Sequence, residues 1–523
     1  MDSQGENSST RQIRGSTLLL TGRGCSLLLN FFTQVLTVRY LSRQDYGVFA
    51  YAISLVELMA LASAFGMDKT FSQFAAAYHE QKNLRRLNGA LIFSSAIILG
   101  LGSLLIGGCW LGRGHLFPWL GINQEEAFVL MLLVLLVPFG GFGSLASSFF
   151  AVMGETRTVF YRRQIIGPVL KCLAMVTGIT LDGGLKGVAL AFLLAGLIQF
   201  VLDLFLMGRF ALKYQLLDSL HRERPEIPAR EFLGFGLPVL ASDASTMICG
   251  SLVIVMVGMF GGSLEAAAFR VVQPLVRLCE LPPVTFGILF TPLASRLMIR
   301  NRPSELREIY LRTRTWVRVL TFPIFAVCVL LAEPVIQMLF GVEYLESGRV
   351  MAILAIGFYV EAGFGFNIQL LKILRRIRLA VTIDILGALM TLGMCLLLIP
   401  QWQAIGAAVG VSLGMVVHTL LREFALQWVF PMGSLAQGLN FVNLGTLFCV
   451  LGVIGLRFGL ALPTLPSLLL AIGLSLYVFL INRRQLQVES MFPELGRFPL
   501  LHRLLAGGGT PVRPETVGPS TQR

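Results

Sequence analysis

The feature that most constrains this chain is a succession of apolar runs, each long enough to cross a lipid bilayer. They fall at about 16–38, 46–66, 88–108, 127–151, 158–180, 187–207, 232–260, 265–298, 316–340, 348–371, 379–399, 405–427, 442–461 and 464–482. A hydrocarbon core of about 30 Å needs about 20 apolar residues at a rise of about 1.5 Å per residue. In lipid only helices and closed barrels satisfy their own backbone, and runs of this length without period-two alternation exclude the barrel. The predicted fold is an all-α integral membrane protein with about 14 transmembrane helices. Charge is correspondingly scarce: 14% of the 523 residues are charged, where a soluble domain carries about 25%. Too little sequence lies between the runs for a large extramembrane domain.

The placement of Lys and Arg predicts orientation, because basic residues concentrate in cytoplasmic loops. With a cytoplasmic N-terminus, the inner segments hold Lys82, Arg85 and Arg86; Arg157, Arg162 and Arg163; a run from Arg209 to Arg230; another from Arg296 to Arg318; Lys372 to Arg378; and the tail from Arg483. The outer loops keep little beyond Arg39, Arg43, Arg113, Lys186 and Arg349. Both termini are therefore expected in the cytoplasm. The net charge of +13 is largely this topology signal, so no nucleic-acid partner is expected. The eight cysteines stand singly, none in a CxxC pair, so no metal or redox site is expected. The polar opening MDSQGENSSTRQIRGS precedes an uncleaved first span.

A weak internal repeat divides the chain. LSRQDYGVFA (41–50) lies over GGSLEAAAFR (261–270), with Asp45 over Glu265 and Phe49 over Phe269. FSQFAAAYHEQKNLRRL (71–87) lies over FTPLASRLMIRNRPSELREI (290–309) at the same offset of about 220 residues. An even number of helices separates the copies, so the halves face the same way as a parallel repeat. The expected organisation is a six-helix lobe over 1–207, a cytoplasmic linker over 208–231, a second six-helix lobe over 232–430, two additional helices over 431–484, and a cytoplasmic tail over 485–523. The end of that tail is too poor in apolar residues to fold alone.

The stretch VRYLSRQDYGVFAYAISLVELMALASAFGMDKTFSQFAAAY, with its basic residue, Leu, polar turn and Tyr-Gly step, resembles the opening of Wzx-type flippases. These belong to the multidrug/oligosaccharidyl-lipid/polysaccharide exporter superfamily. The likeness is close over Arg39 to Tyr78 and rests on topology elsewhere. It implies a multi-pass protein of the bacterial cytoplasmic membrane. Its implied activity is moving an undecaprenyl-pyrophosphate-linked oligosaccharide, a unit of O-antigen, capsule or exopolysaccharide, to the outer leaflet. The implied partners are that lipid-linked oligosaccharide, membrane lipids, and the polymerase and export machinery; no cofactor is implied.

Ionisable residues inside spans mark where chemistry sits, since each costs roughly 2.5–3.5 kcal/mol at the bilayer centre unless it faces protein or water. They are Arg23, Glu57, Lys171, Asp203, Asp243, Arg270, Arg277, Glu280, Glu361, Asp384 and His418. In the eighth run Arg270 and Arg277 are two turns apart and share a helix face, with Glu280 one turn beyond. Two guanidiniums in a column suit a pyrophosphate, which accepts bidentate bonds. In the resembled family the first, second, seventh and eighth helices line a cleft. That arrangement gathers Arg23, Glu57, Asp243, Arg270, Arg277 and Glu280 around one cavity. Arg270, Arg277, Arg23 and Lys171 are the substrate-binding candidates; Asp243, Glu57 and Glu280 are the candidates for ion or proton coupling. The structural alternatives are that Arg277 and Glu280 neutralise each other, that Arg270 sits near the interface, and that Asp243 merely bonds a neighbouring helix. His418 is expected as a satisfied core histidine.

Pro274, Pro282, Pro283 and Pro292 predict bends in the eighth run. FGGFGSLASS (139–148) and GAAVGVSLG (406–414) predict close helix packing. RNRPSELREIYLRTRTW (300–316) reads as a cytoplasmic topology signal. There is no GxSxG, HExxH or GxxxxGK[ST], and the reading is a transporter rather than an enzyme. Its rivals are a cation-coupled multidrug exporter of the same architecture and a membrane glycan polymerase or glycosyltransferase.

Overall fold

The structure, a computed structural model, describes residues 24–119, 124–430, 441–459 and 463–486. Arg23, the polar N-terminus, residues 431–440 and the tail beyond 486 lie outside the described residues. Among the described residues the chain is helical and nine segments are long and apolar enough to cross a membrane. The first half contains the helices α1 (24–40), α2 (Arg43–Ala64), α3 (Met67–Glu80), α4 (Leu84–Trp119), α5 (Gln124–Val134), α6 (Val137–Val152), α7 (Gly167–Thr180) and α8 (Gly184–Lys213). The second half follows as α9 (Ala229–Met247), α10 (Val253–Val276), α11 (Leu281–Ile299), α12 (Pro303–Leu330), α13 (Ala332–Phe340), α14 (Ser347–Phe364), α15 (Asn367–Ile373) and α16 (Ile377–Val429). The last two are α17 (Phe441–Gly459) and α18 (Thr464–Leu486).

Two of these helices are hairpins. In α10 the backbone leaves helical geometry at Gly262, with φ 80° and ψ −178°. Glu57 touches both Ser251 and Arg270, residues that a straight helix would hold about 28 Å apart at 1.5 Å per residue. In α16 the break is Gln403, at φ 50°. Beyond it Gly406 lies against Leu398, Gly410 against Cys395 and Gly414 against Thr391, so the partners step back as the glycines step forward. The small residues of GAAVGVSLG thus do what the sequence predicted: they let the two arms pack closely, with backbone against backbone at Gly406. In the 139–148 strip, Gly141 likewise faces Ile98 and Ser63.

The repeat is written in the backbone. Left-handed conformations at Lys82 (φ 55°), Gly154 (φ 74°) and Asp182 (φ 46°) recur at Asn301 (φ 54°), Arg375 (φ 59°) and Gln403 (φ 50°). Each recurrence falls about 220 residues on, which is the offset the sequence repeat predicts. The helices that follow the first of these turns start at Leu84 and Pro303.

The halves also repeat a buried ion pair, with its signs exchanged. In the first half Arg162 bonds Asp203 at 2.6 Å, and Gln199, one turn before Asp203, donates to it. In the second, Arg422 bonds Asp384 at 2.8 Å, and His418, one turn before Arg422, reaches the same carboxylate at 3.1 Å. His418 is therefore a satisfied histidine, as expected. Arg162, assigned from sequence to a cytoplasmic loop, is corrected: it is buried, on a π-helical turn over Tyr161–Ile166. The physical cause is Pro168, which offers no N–H to the carbonyl of Gln164 and so opens the helix. Gly143 leaves room for the pair, and its carbonyl accepts a bond from Arg162 at 2.6 Å.

The basic run at 300–316 is mostly helical: from Pro303 it lies in α12, where Arg314 bonds Glu423 at 3.0 Å with both side chains largely buried, and Asn367 donates to the same carboxylate. The segment between the halves begins as the last turn of α8 and then straps the first half: Asn88 donates to the Leu216 carbonyl at 2.8 Å and Arg86 bonds Glu226 at 2.7 Å. That guanidinium holds the Glu226 carboxyl below its usual range.

The ion pair in the first half is testable. Arg162→Ala or Asp203→Ala alone, each stranding a buried charge, should cost about 3–5 kcal/mol. The double replacement Arg162→Met with Asp203→Leu should cost less than either, measured by thermal unfolding in detergent. Additive losses would contradict this account.

Candidate functional site

A cavity of about 470 Å³ opens between the helices of the first half and the second arm of α10. Its floor is set by α1, which presents Asn30, Thr33, Gln34 and Thr37 to it. That spacing of three, one and three residues is one face of a helix. Thr33 and Thr37 turn their hydroxyls back to carbonyls of their own helix, whereas Gln34 spans the cavity wall to the Tyr46 hydroxyl and the Arg270 carbonyl. Phe49, Phe139, Leu136 and Phe192 supply apolar wall, and Gln199 a further amide.

Three charges stand in this cavity. Glu57 comes from α2, Lys171 from α7 and Arg270 from α10. Arg270 bonds Glu57 at 3.3 Å, and Ser251 donates a short hydrogen bond to the other carboxylate oxygen. Lys171 is open to the cavity and close enough to interact with both partners. The cavity therefore carries one positive charge in excess, with Glu57 and Arg270 each only partly covered. Among the described residues no group of three or more His, Cys, Asp or Glu is placed to hold a metal ion.

The structure brings together Glu57, Lys171 and Arg270, and places Arg277, Glu280 and Asp243 elsewhere. Arg270 and Arg277 lie two turns apart on the helical second arm of α10, the 3-10 turn over Arg277–Glu280 beginning only at Arg277, so about 10 Å of helix rise separates them and only Arg270 lines this cavity. Arg277 then stands beside Gly250 and outside this cavity. Glu280 lines a separate cavity of about 200 Å³ with Glu361 and Arg422. Asp243 meets Lys69 of α3, the neighbouring-helix bond foreseen as its structural alternative. Asp203 is held by Arg162, and Arg23 lies outside the described residues. The polar face of α1 was missed from sequence, although its spacing at 30, 33, 34 and 37 is legible there.

Away from the linker, the turn between α1 and α2 grips the second half. Arg39 donates to the carbonyls of Met338 at 2.5 Å and Leu339 at 2.8 Å. These belong to the last turn of α13, where carbonyls lack partners within the helix and the dipole favours a cation. Arg43 donates to the Glu343 carbonyl at 3.1 Å and pairs with Glu346 at 3.3 Å. Tyr46 meets Tyr344 edge to face, with ring centres 6.3 Å apart. Arg39 and Arg43, expected from sequence in an outer loop, are thus a clasp between the halves.

Comparison with known proteins adds the following. The profile of a family described as "Polysaccharide biosynthesis protein" matches residues 36–349. The succinoglycan biosynthesis transport protein ExoT of Rhizobium meliloti (strain 1021) is 24% identical over 356 residues, 66% of this chain and 65% of that protein. Among solved structures, an inward-facing multidrug resistance MATE family transporter of the MOP superfamily superposes with a TM-score of 0.65 at 15% identity, covering 77% of this chain and 95% of that one. The lipid II flippase MurJ in an inward closed conformation gives 0.64 at 14% identity, covering 92% of this chain and 99% of that one. At these identities the likeness is one of fold.

The clasp predicts a measurable opening. In a background lacking the native cysteines, spin labels at positions 42 and 342 should give a short, narrow distance by pulsed EPR. Replacing Arg39 and Arg43 with Ala should add a longer population. An unchanged distribution would show that other contacts hold this end closed.

Proposed function

The chain belongs to the polysaccharide biosynthesis protein family, and on that premise we propose that it is a flippase for an undecaprenyl-pyrophosphate-linked oligosaccharide. The single observation that carries this reading is the cavity's charge: Arg270 and Lys171 against Glu57 alone, beside uncharged amides. Guanidinium and ammonium suit the oxygens of a diphosphate, and Gln34, Asn30 and Gln199 suit sugar hydroxyls. The names of relatives agree in kind, one being a succinoglycan transport protein and one a lipid II flippase.

The geometry also suggests how binding drives motion. Glu57 belongs to the first half and Arg270 to the second, so their bond ties the halves across the cavity. A diphosphate competes with Glu57 for Arg270, and by binding one arrangement better than the other it shifts the balance between them. Proton uptake by Glu57 would loosen the same bond, which makes Glu57 the coupling candidate in this cavity. In this reading the clasp at Arg39 and Arg43 closes the outer side, both termini are cytoplasmic in a bacterial inner membrane, and the released unit passes to polymerase and export machinery.

Reconstituted into liposomes with a fluorescent undecaprenyl-pyrophosphate oligosaccharide, the protein should move it between leaflets. Arg270→Ala and Lys171→Ala should each slow this at least about tenfold, the scale of a lost charged hydrogen bond. Arg277→Ala, outside the cavity, should lose less. Drug efflux without flipping would favour the multidrug exporter, and sugar transfer by the purified protein would make it an enzyme.

A further inference from the structure

A second cavity of about 480 Å³ lies behind the clasp, built from four chain segments. Arg43 enters from the start of α2, Glu265 from the second arm of α10, Glu333 and Arg349 from either side of the turn after α13, and Trp402 from the hinge of α16. Its walls are fixed by close packing. Gly348 lies against Glu333, and Gly261 against Glu265 and Gln403, with no side chain to hold them apart. One oxygen of Glu265 accepts the Ala404 N–H at 3.2 Å, where the second arm of α16 begins.

The chemistry of this lining differs from that of the Arg270 cavity. Three carboxylates (Glu265, Glu333 and Glu346) and two guanidiniums (Arg43 and Arg349) face one space, so neither a bare anion nor a bare cation is matched. Arg457 neutralises Glu333 at 2.6 Å, and Arg43 neutralises Glu346. The Arg349 side chain has no partner among the described residues. Trp402 is 54% exposed. Carboxylates accept from hydroxyls and guanidiniums donate to them, so such a mixture matches neighbouring hydroxyls on one uncharged ring. A flat indole face packs against the C–H face of that ring, as aromatic walls with few placed polar groups do in small-molecule sites.

We propose that this cavity is a binding site for a neutral saccharide, separate from the charged cavity at Arg270. It goes beyond the flippase reading, because its ligand needs no lipid and no phosphate. Arg43 belongs to the first half and the rest of the lining to the second, so a bound saccharide bridges the halves. Occupancy therefore favours the arrangement in which the clasp is closed. Free glycan on that side of the membrane would hold this end shut.

The test uses the full-length protein in detergent and saturation-transfer NMR with neutral tetrasaccharides: cellotetraose, maltotetraose and chitotetraose. At least one is expected to bind saturably, with its Kd raised about tenfold or more in Trp402→Ala and in Arg349→Ala. Trp402→Phe keeps a flat face and should weaken binding less than Trp402→Ala, which separates lost stacking from a lost fold. Lys171→Ala, which makes no bond between the halves, should leave tetrasaccharide binding unchanged while slowing flipping, so the two readings fail separately. The proposal is overturned if none of the three sugars binds saturably. It is equally overturned if Trp402→Ala and Arg349→Ala bind as the parent does.

Discussion

The two halves meet where Gly47 of α2 lies against the backbone carbonyl of Ser263, a contact that any side chain at position 47 would occupy. One turn further along α2, Tyr51 packs over Gly258 in the other arm of the α10 hairpin. These approaches set the depth at which Glu57 reaches both Ser251 and Arg270. They also bring Arg39 and Arg43 within reach of the end of α13. The cavity, its inter-lobe bond and the clasp all follow from two helices packing at glycine distance.

Charge inside such a protein has to be answered locally, because lipid offers neither water nor counterions. This chain answers it in three ways. The pairs Arg162–Asp203 and Asp384–Arg422 bury opposite charges against each other at matching places in the repeat, with the signs exchanged. Exchange of both signs keeps the pair neutral, so either version is compatible with the same helix packing. Arg39 meets helix-end carbonyls instead of a carboxylate. Around Glu57, Lys171 and Arg270 the count is left uneven, and there a charged ligand has something to complete.

Much of this was legible in the residues. The runs at 379–399 and 405–427 became the two arms of α16, and the repeat offset reappeared in the left-handed turns. The prolines after Cys279 marked a true break. It left the spacing of Arg270 and Arg277 intact, and Arg277 misses the cavity because two turns of helix carry it about 10 Å beyond Arg270. Arg162 and Arg314 were misread as loop charges because a count of basic residues does not show which of them finds a carboxylate from a distant helix. The stripe at Asn30, Thr33, Gln34 and Thr37 was readable but masked by the apolar average of its span.

The sequence by itself determined an all-helical membrane protein in two parallel halves, because length, hydropathy and turn chemistry are local properties that lipid enforces helix by helix. Which charges share a space was decided only by the tertiary structure. Glu57 and Arg270 are 213 positions apart, and Arg39 and Leu339 are 300 apart. No local rule links such residues. They meet because Gly47, Gly258 and Gly262 let one hairpin lie flat against α2, and the remaining helices pack around that contact.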